Sequence, residues 1–207
     1  MSFLDLKGPA GHLEALLWKV ERARGAVVVC HPDPKAGGTM HNHLAYRTAA
    51  AFREAGLTSL RFNFRGVGRS TGAHDQGVGE VEDAAAALDF LAGEEPSVPL
   101  YLAGFSFGSR VALKLALRDP RVEKVLAVGM AVDLFDFAFL SELTKPKAFI
   151  HADRDEFGTV ASVEALLTHV PPPKRLFVVK DCTHLAPGRL EAFSAVAREA
   201  VDWLVQL

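Results

Sequence analysis

The sequence predicts an α/β protein with a mostly parallel, doubly wound sheet and helices on both faces. Short apolar, β-branched segments alternate along the chain with longer segments of helical periodicity. Several of the short segments, such as Ala26–Cys30 and Leu176–Val179, are almost continuously apolar, as expected for strands covered on both faces. This alternation is typical of a parallel sheet with helices packed on its two sides.

Seven strands and five helices follow from these patterns. The predicted strands are Leu13–Trp18, Ala26–Cys30, Ser59–Phe64, Leu100–Ala103, Val125–Val128, Ala148–His151 and Leu176–Val179. The predicted helices are His43–Ala55, Glu80–Leu91, Ser109–Leu117, Val160–His169 and Leu190–Val205. In the last of these, apolar residues recur at intervals of three and four residues, which places them on one face of the helix.

Length and composition exclude several classes of protein. A chain of 207 residues fits one domain, 1–207, at ~100–200 residues per domain. Its 23 Lys and Arg residues against 25 Asp and Glu give a net charge of −2, which argues against nucleic acid or an anionic membrane surface as the partner. No segment reaches the roughly 18 consecutive apolar residues of a membrane helix, and no pattern predicts a secretory signal. With only two cysteines, no disulfide framework is expected, and we expect a cytoplasmic protein.

The strongest chemical signal is the pentapeptide Gly104-Phe105-Ser106-Phe107-Gly108. It follows a predicted strand directly and opens a predicted helix. A strand-to-helix turn this sharp strains the serine backbone and needs small neighbours, and it holds the serine hydroxyl out at the edge of the sheet. The N-terminus of the following helix directs backbone N–H groups towards it. We therefore predict Ser106 as a nucleophile rather than as a simple helix cap.

A nucleophilic serine needs a base, and the base needs a carboxylate that orients it. In this topology the partners follow in the order serine, acid, histidine. His184 is the histidine that lies beyond a late strand and after an acidic loop, so it is the predicted base. Asp155 is the preferred acid because it lies furthest past its strand. Asp153, or Asp133 and Asp136 beyond the preceding strand, remain alternatives at this stage.

The oxyanion formed on acyl transfer needs two backbone donors. One is expected from the N–H of Phe107, the residue after the nucleophile. The other is expected from the loop after the strand Ala26–Cys30. Because proline has no N–H, Pro32 and Pro34 are excluded, and Asp33 is the best remaining donor.

Together these motifs resemble the α/β-hydrolase superfamily, and within it the small group without a cap domain that is related to dienelactone hydrolase and short-chain carboxylesterases. The matching segments are His31-Pro32-Asp33-Pro34, Gly37-Gly38-Thr39-Met40 with Asn42, Arg65-Gly66-Val67-Gly68-Arg69-Ser70, Gly104–Gly108, Asp155 and His184. The resemblance implies the α/β-hydrolase fold without a large cap, a Ser106–His184–Asp155 triad, and an oxyanion hole from Asp33 and Phe107. Serine replaces the cysteine nucleophile of dienelactone hydrolase, which argues against that enzyme's own reaction.

The substrate is expected to be a small carboxylic ester, with thioesters and lactones requiring the same machinery. The segment Gly129–Thr144 spaces Phe135, Phe137 and Phe139 at alternate positions. Together with Phe105 these rings predict an apolar pocket for a short acyl chain. The segment itself is predicted either as a packed loop with a short core helix or as a flap over the site.

No cofactor is expected, because the triad chemistry needs none. No metal is expected either, because His41 and His43 would point to opposite sides of an extended segment and no further ligand falls at a recognisable spacing. The final helix could form a homodimer interface. The alternative function is a binding module or receptor with this fold and little turnover, and acyl transfer is a further alternative. Replacement of Ser106 by alanine separates an esterase from a binder, since it abolishes turnover in an esterase and leaves affinity intact in a binder. Trapping of products with an added alcohol would reveal acyl transfer.

Overall fold

The computed structural model describes residues 1–207 and contains an eight-stranded sheet with five α-helices. The strands are β1 (Ser2–Gly8), β2 (Gly11–Trp18), β3 (Ala26–Cys30), β4 (Thr58–Phe62), β5 (Leu100–Phe105), β6 (Val122–Val128), β7 (Lys147–Ala152) and β8 (Lys174–Val179). The helices are α1 (His43–Glu54), α2 (Gly79–Glu94), α3 (Phe107–Arg118), α4 (Val160–Leu167) and α5 (Leu190–Gln206), with short 3₁₀ helices at Pro34–Ala36 and Ala138–Glu142. None of the helices combines the length and apolar character needed to cross a membrane.

The sheet order is β1-β2-β4-β3-β5-β6-β7-β8. The pairs β1–β2 and β2–β4 are antiparallel, and every pair from β4 to β8 is parallel. One apolar core packs α2, α3 and α4 against one face, and a second packs α1 and α5 against the other. The predicted doubly wound sheet with helices on both faces is therefore confirmed.

All seven predicted strands and all five predicted helices are present, with ends that differ by three residues or fewer. The strand β1 was not predicted. It lies at the edge of the sheet, and only Leu4 and Leu6, at alternate positions, pack on the core, which is too short a pattern to predict a strand. Its pairing with β2 extends the sheet on the side away from the predicted site.

The parallel strands bring distant residues to one edge of the sheet. The segments that follow β3, β5, β7 and β8 all leave the sheet at its carboxyl edge, and these segments carry Asp33, Ser106, Asp155 and His184. In open α/β sheets, ligands bind at this edge. The topology alone thus gathers residues that are separated by up to 151 positions in the sequence.

A buried ion pair anchors the long loop between β4 and α2. The guanidinium of Arg65 donates to both carboxylate oxygens of Asp83, from Nη2 to Oδ1 at 2.8 Å and from Nε to Oδ2 at 3.0 Å. The backbone N–H of Arg65 also donates to Asp83 Oδ2. The Asp83 side chain is fully buried and that of Arg65 is 13% exposed. A Cβ on Gly79 would lie 1.9 Å from Arg65 Nη1, so a larger residue there would displace the guanidinium from its place beside Asp83.

We expect Asp83→Asn to lower the free energy of unfolding by about 3 kcal/mol, because it leaves the buried Arg65 cation without its carboxylate. The neighbouring Glu82→Gln is the matched control. It removes a carboxylate that pairs with Arg118 in solvent, which contributes at most about 1 kcal/mol. Urea unfolding of both variants at pH 7 measures the difference. Equal losses in the two variants would contradict a structural role for the Arg65–Asp83 pair.

Candidate active site

The turn between β5 and α3 holds Ser106 in a strained backbone conformation. Its φ of 55° and ψ of −120° are unusual for a residue with a side chain. Although Ser106 stands at the N-cap of α3, its side chain makes no capping hydrogen bond. The hydroxyl therefore remains available to groups outside the helix.

Close backbone contacts explain the two glycines of this turn. A Cβ on Gly104 would lie 2.1 Å from the carbonyl oxygen of Gly108. A Cβ on Gly108 would lie 2.4 Å from the carbonyl oxygens of both Cys30 and His31. The turn is thus packed directly against the end of β3, and a larger residue at either position would force the backbones apart.

Ser106, His184 and Asp155 form one chain of hydrogen bonds. His184 Nε2 lies 3.0 Å from Ser106 Oγ, and His184 Nδ1 lies 2.8 Å from Asp155 Oδ2. A carboxylate only accepts, so Nδ1 carries the imidazole proton and Nε2 accepts the proton of the serine hydroxyl. All three residues were predicted from the sequence as a triad, and in the structure His184 lies between Ser106 and Asp155.

Contacts on every side hold the histidine and the aspartate in place. Asp155 Oδ1 accepts a hydrogen bond from the backbone N–H of Phe157 at 2.9 Å. The backbone N–H of His184 donates to Glu156 Oε2 at 3.0 Å. The His184 ring lies 4.8 Å from the ring of Phe105 and 4.8 Å from that of Phe157. The imidazole therefore has one orientation, which points Nε2 at Ser106.

The alternative acids have other contacts. Asp153 Oδ1 accepts from the backbone N–H of Cys182 at 3.0 Å, and this bond lowers the pKa of the Asp153 carboxyl. Asp136 Oδ1 accepts from the backbone N–H of Ala138 at 2.8 Å. The Asp133 side chain makes no hydrogen bond or ion pair with His184. Of the four aspartates considered from the sequence, Asp155 is the one that contacts the histidine.

The two backbone N–H groups predicted as oxyanion donors have no partners within the protein. Neither the N–H of Phe107 nor that of Asp33 makes a hydrogen bond within the protein. Asp33 lines the same cleft as Ser106. Its side chain accepts a hydrogen bond from the backbone N–H of Lys35 at 2.8 Å and so caps the first 3₁₀ helix. Both predicted oxyanion donors are thus free to bind an oxygen atom.

His31 fixes the peptide that carries the Asp33 N–H. The ring is fully buried, with Nδ1 2.7 Å from the carbonyl oxygen of Pro32 and Nε2 3.1 Å from the backbone nitrogen of Phe64. Nδ1 therefore donates and Nε2 accepts. The carbonyl of Pro32 and the N–H of Asp33 belong to one trans peptide and point in opposite directions. By binding the carbonyl, His31 turns the Asp33 N–H away from itself.

An apolar cleft of about 390 Å³ lies above Ser106 and His184. Phe105 and Phe135, both predicted from the sequence, are among its walls. Leu134, Phe157 and Leu185 also line it and were not predicted. Phe157 and Leu185 stand two and one residues after Asp155 and His184, so proximity in sequence to the predicted catalytic residues is the signal that could have identified them.

The prediction that Phe137 and Phe139 line the catalytic cleft is wrong. Phe137 is 3% exposed and belongs to the core beneath α3. Phe139 stacks on Phe137, and the amine of Lys114 lies 5.9 Å above its ring. Since a 3₁₀ helix begins at Ala138, the alternation of a strand does not apply, and the rings turn into the core. The segment 129–144 is therefore a packed loop with a short helix, whose first part reaches the cleft.

A protein-family model, Hydrolase_4 (described as serine aminopeptidase, S33), matches residues 21–136, which is more than half of the chain. The chain belongs to this family of α/β-hydrolases. A relative in Rickettsia prowazekii, the uncharacterized protein RP471, is 36% identical over 175 residues, which cover 82% of this chain and 74% of the relative.

Two solved structures share the fold of this α/β-hydrolase over almost its whole length. An α/β serine hydrolase homologue from Coxiella burnetii is 34% identical with a TM-score of 0.90, and the match covers 96% of each chain. XC6422 from Xanthomonas campestris, described as an α/β serine hydrolase without a lid, is 31% identical with a TM-score of 0.89. That match covers 98% of this chain and 94% of XC6422. The predicted α/β-hydrolase fold is confirmed.

The burial of His31 predicts a pH dependence of stability. Burial lowers the pKa of His31 to about 4, whereas an unfolded histidine titrates near about 6.5. Between these values the unfolded chain takes up a proton and the folded protein does not, so stability falls as the pH falls. The loss amounts to about 3 kcal/mol in all, and above pH ~6.5 the residue contributes no slope.

Urea unfolding at a series of pH values from 7 to 4 tests this expectation in the parent protein and in His31→Gln. The slope between pH ~6.5 and ~4 should be shallower in the variant, which lacks the titrating ring. His169→Gln, at an exposed position, should keep the parental slope. An unchanged slope in His31→Gln would show that His31 is not the group responsible.

Proposed function

We propose that the protein hydrolyses small carboxylic esters, with Ser106 as the nucleophile and an acyl-enzyme as the intermediate. The observation that carries this proposal is the hydrogen-bonded chain from Ser106 through His184 to Asp155 at the floor of an open apolar cleft. A hydroxyl that donates to a neutral imidazole, itself bound to a buried carboxylate, is arranged for nucleophilic attack.

In the first half of the reaction, Ser106 Oγ attacks the ester carbonyl carbon and His184 Nε2 takes the hydroxyl proton. Asp155 stabilises the imidazolium that forms. The carbonyl oxygen becomes an oxyanion, which the N–H groups of Phe107 and Asp33 bind. Each such donor contributes about 3–4 kcal/mol to the stability of the transition state. Collapse of the intermediate breaks the ester C–O bond, and His184 returns the proton to the departing alkoxide.

In the second half, water replaces the alcohol. His184 takes a proton from water as the water oxygen attacks the acyl carbon, and the same two N–H groups bind the new oxyanion. Collapse breaks the bond to Ser106 Oγ, to which His184 returns the proton, and the carboxylic acid leaves. His184 Nε2 takes up and returns one proton in each half of the reaction, so the protein is back in its starting state when the acid leaves.

The lining of the cleft favours a neutral ester over a peptide. No lysine or arginine lines the cleft, and the one carboxylate in its lining, Asp33, already binds the N–H of Lys35. An aminopeptidase must hold the ammonium group of its substrate, and the cleft offers a single carboxylate for that task, one oxygen of which is already hydrogen-bonded. Thioesters and lactones fit the same machinery as esters.

Labelling with a fluorophosphonate, combined with a panel of p-nitrophenyl esters from acetate to decanoate, tests the proposal. We expect one adduct on Ser106 by peptide mapping, and a turnover that falls by about 10⁶-fold in Ser106→Ala. Ser141→Ala, at an exposed serine, is the control and should keep both properties. A folded protein with neither adduct nor turnover would favour the binding-module alternative, and faster cleavage of aminoacyl p-nitroanilides would contradict the choice of esters.

The assignment of the acid has its own test. Asp155→Asn should lower kcat by about 10⁴-fold, because an amide in place of the carboxylate stabilises the wrong imidazole tautomer. Asp153→Asn is the matched control, since Asp153 binds the backbone N–H of Cys182 and not the histidine. Its kcat should change by less than about 10-fold. Similar losses of kcat in the two variants would overturn the assignment of Asp155.

A further inference from the structure

The geometry of the proposed reaction divides the cleft into two sides. His184 must reach the leaving-group oxygen, so the alcohol part of an ester lies near the histidine. Phe157, whose ring is 4.8 Å from that of His184, and Leu185, the next residue, form this side. Phe135 also lines the cleft, and its ring centre lies 6.1 Å from that of Phe107, whose backbone N–H is a predicted oxyanion donor. In the proposed reaction the acyl part does not have to reach His184, which leaves it the part of the cleft that Phe135 lines.

Phe135 is held as a fixed wall on this acyl side. Its ring meets the Phe107 ring edge to face, at an interplanar angle of 65°. The guanidinium carbon of Arg110 lies 5.7 Å from the centre of the Phe135 ring, and Arg110 Nε donates to the backbone carbonyl of Asp136. These contacts restrain the ring and the segment that carries it.

A second groove lies directly behind this ring. It has a volume of about 310 Å³, and Phe135 lines both this groove and the catalytic cleft. Its apolar surface comes from Val132, Phe137, Ala138 and Leu166. Asp133 and Asp136 also line it, so it suits an uncharged alkyl chain and not one that ends in a carboxylate.

We propose that Phe135 sets the length of the acyl chain that this protein accepts, and that the groove behind it receives a longer uncharged chain once the ring is removed. The proposal rests on the proposed ester hydrolysis for its substrate. It adds a residue that determines specificity and a binding space outside the catalytic cleft.

The experiment compares kcat/KM for p-nitrophenyl butyrate and octanoate. In Phe135→Ala the octanoate-to-butyrate ratio should rise at least about 10-fold, since each methylene moved from water onto apolar surface contributes roughly a fourfold gain. Phe139→Ala removes the same ring from the same segment but outside the cleft, and it should keep the parental ratio. Phe135→Ala combined with Ala138→Trp, which fills the groove at an exposed position, should return the ratio to the parental value.

Three results would overturn the proposal: an unchanged ratio in Phe135→Ala, an equal rise in Phe139→Ala, or a rise that persists when Ala138→Trp fills the groove. The labelling rates of Ser106 by butyl and octyl phosphonofluoridates give the same comparison without ester turnover. If these rates show the expected pattern while no ester is cleaved, the proposed function fails and the role of Phe135 stands. If Ser106 does not react at all, both fail.

Discussion

The contact of Gly108 with the carbonyl oxygens of Cys30 and His31 is the constraint on which the site depends. It brings the start of α3 against the end of β3, so that the strained serine and the loop that carries Asp33 share one point of contact. Neither can move without the other. The positive φ of Ser106 is tolerated because hydrogen bonds of the central strands fix the chain on one side and the helix fixes it on the other.

The parts of the structure that local patterns determine were predictable from the sequence. Strands buried on both faces appear in the sequence as apolar segments. The turn at Gly104–Gly108 could be predicted from its two glycines, one on each side of Ser106. His184 and Asp155 could be predicted because the carboxyl ends of parallel strands lie at one edge of the sheet. Residues that directly follow different strands are therefore close together in space. Asp155 could be preferred over Asp153 only by its distance past the strand, and the contact with His184 separates them.

What sequence reasoning missed depends on tertiary contacts. The edge strand β1 places only Leu4 and Leu6 against the core, so its apolar pattern is too short to separate it from a loop. Phe137 and Phe139 share a spacing with Phe135, but where each ring points is decided by the 3₁₀ helix that begins at Ala138. His31 holds the peptide before Asp33 in an orientation that depends on a hydrogen bond from the backbone of Phe64, 33 residues away. No sequence pattern predicts that hydrogen bond.

The site is divided between the middle and the margin of the sheet. Ser106 and the two predicted oxyanion donors follow β3 and β5, which have partners on both sides, whereas His184 follows β8, which pairs with β7 alone. Opening of an edge strand costs less free energy than global unfolding. Transient detachment of β8 would therefore separate His184 from Ser106 while leaving Ser106 in place. Amide hydrogen exchange along β8 would measure how often this detachment occurs.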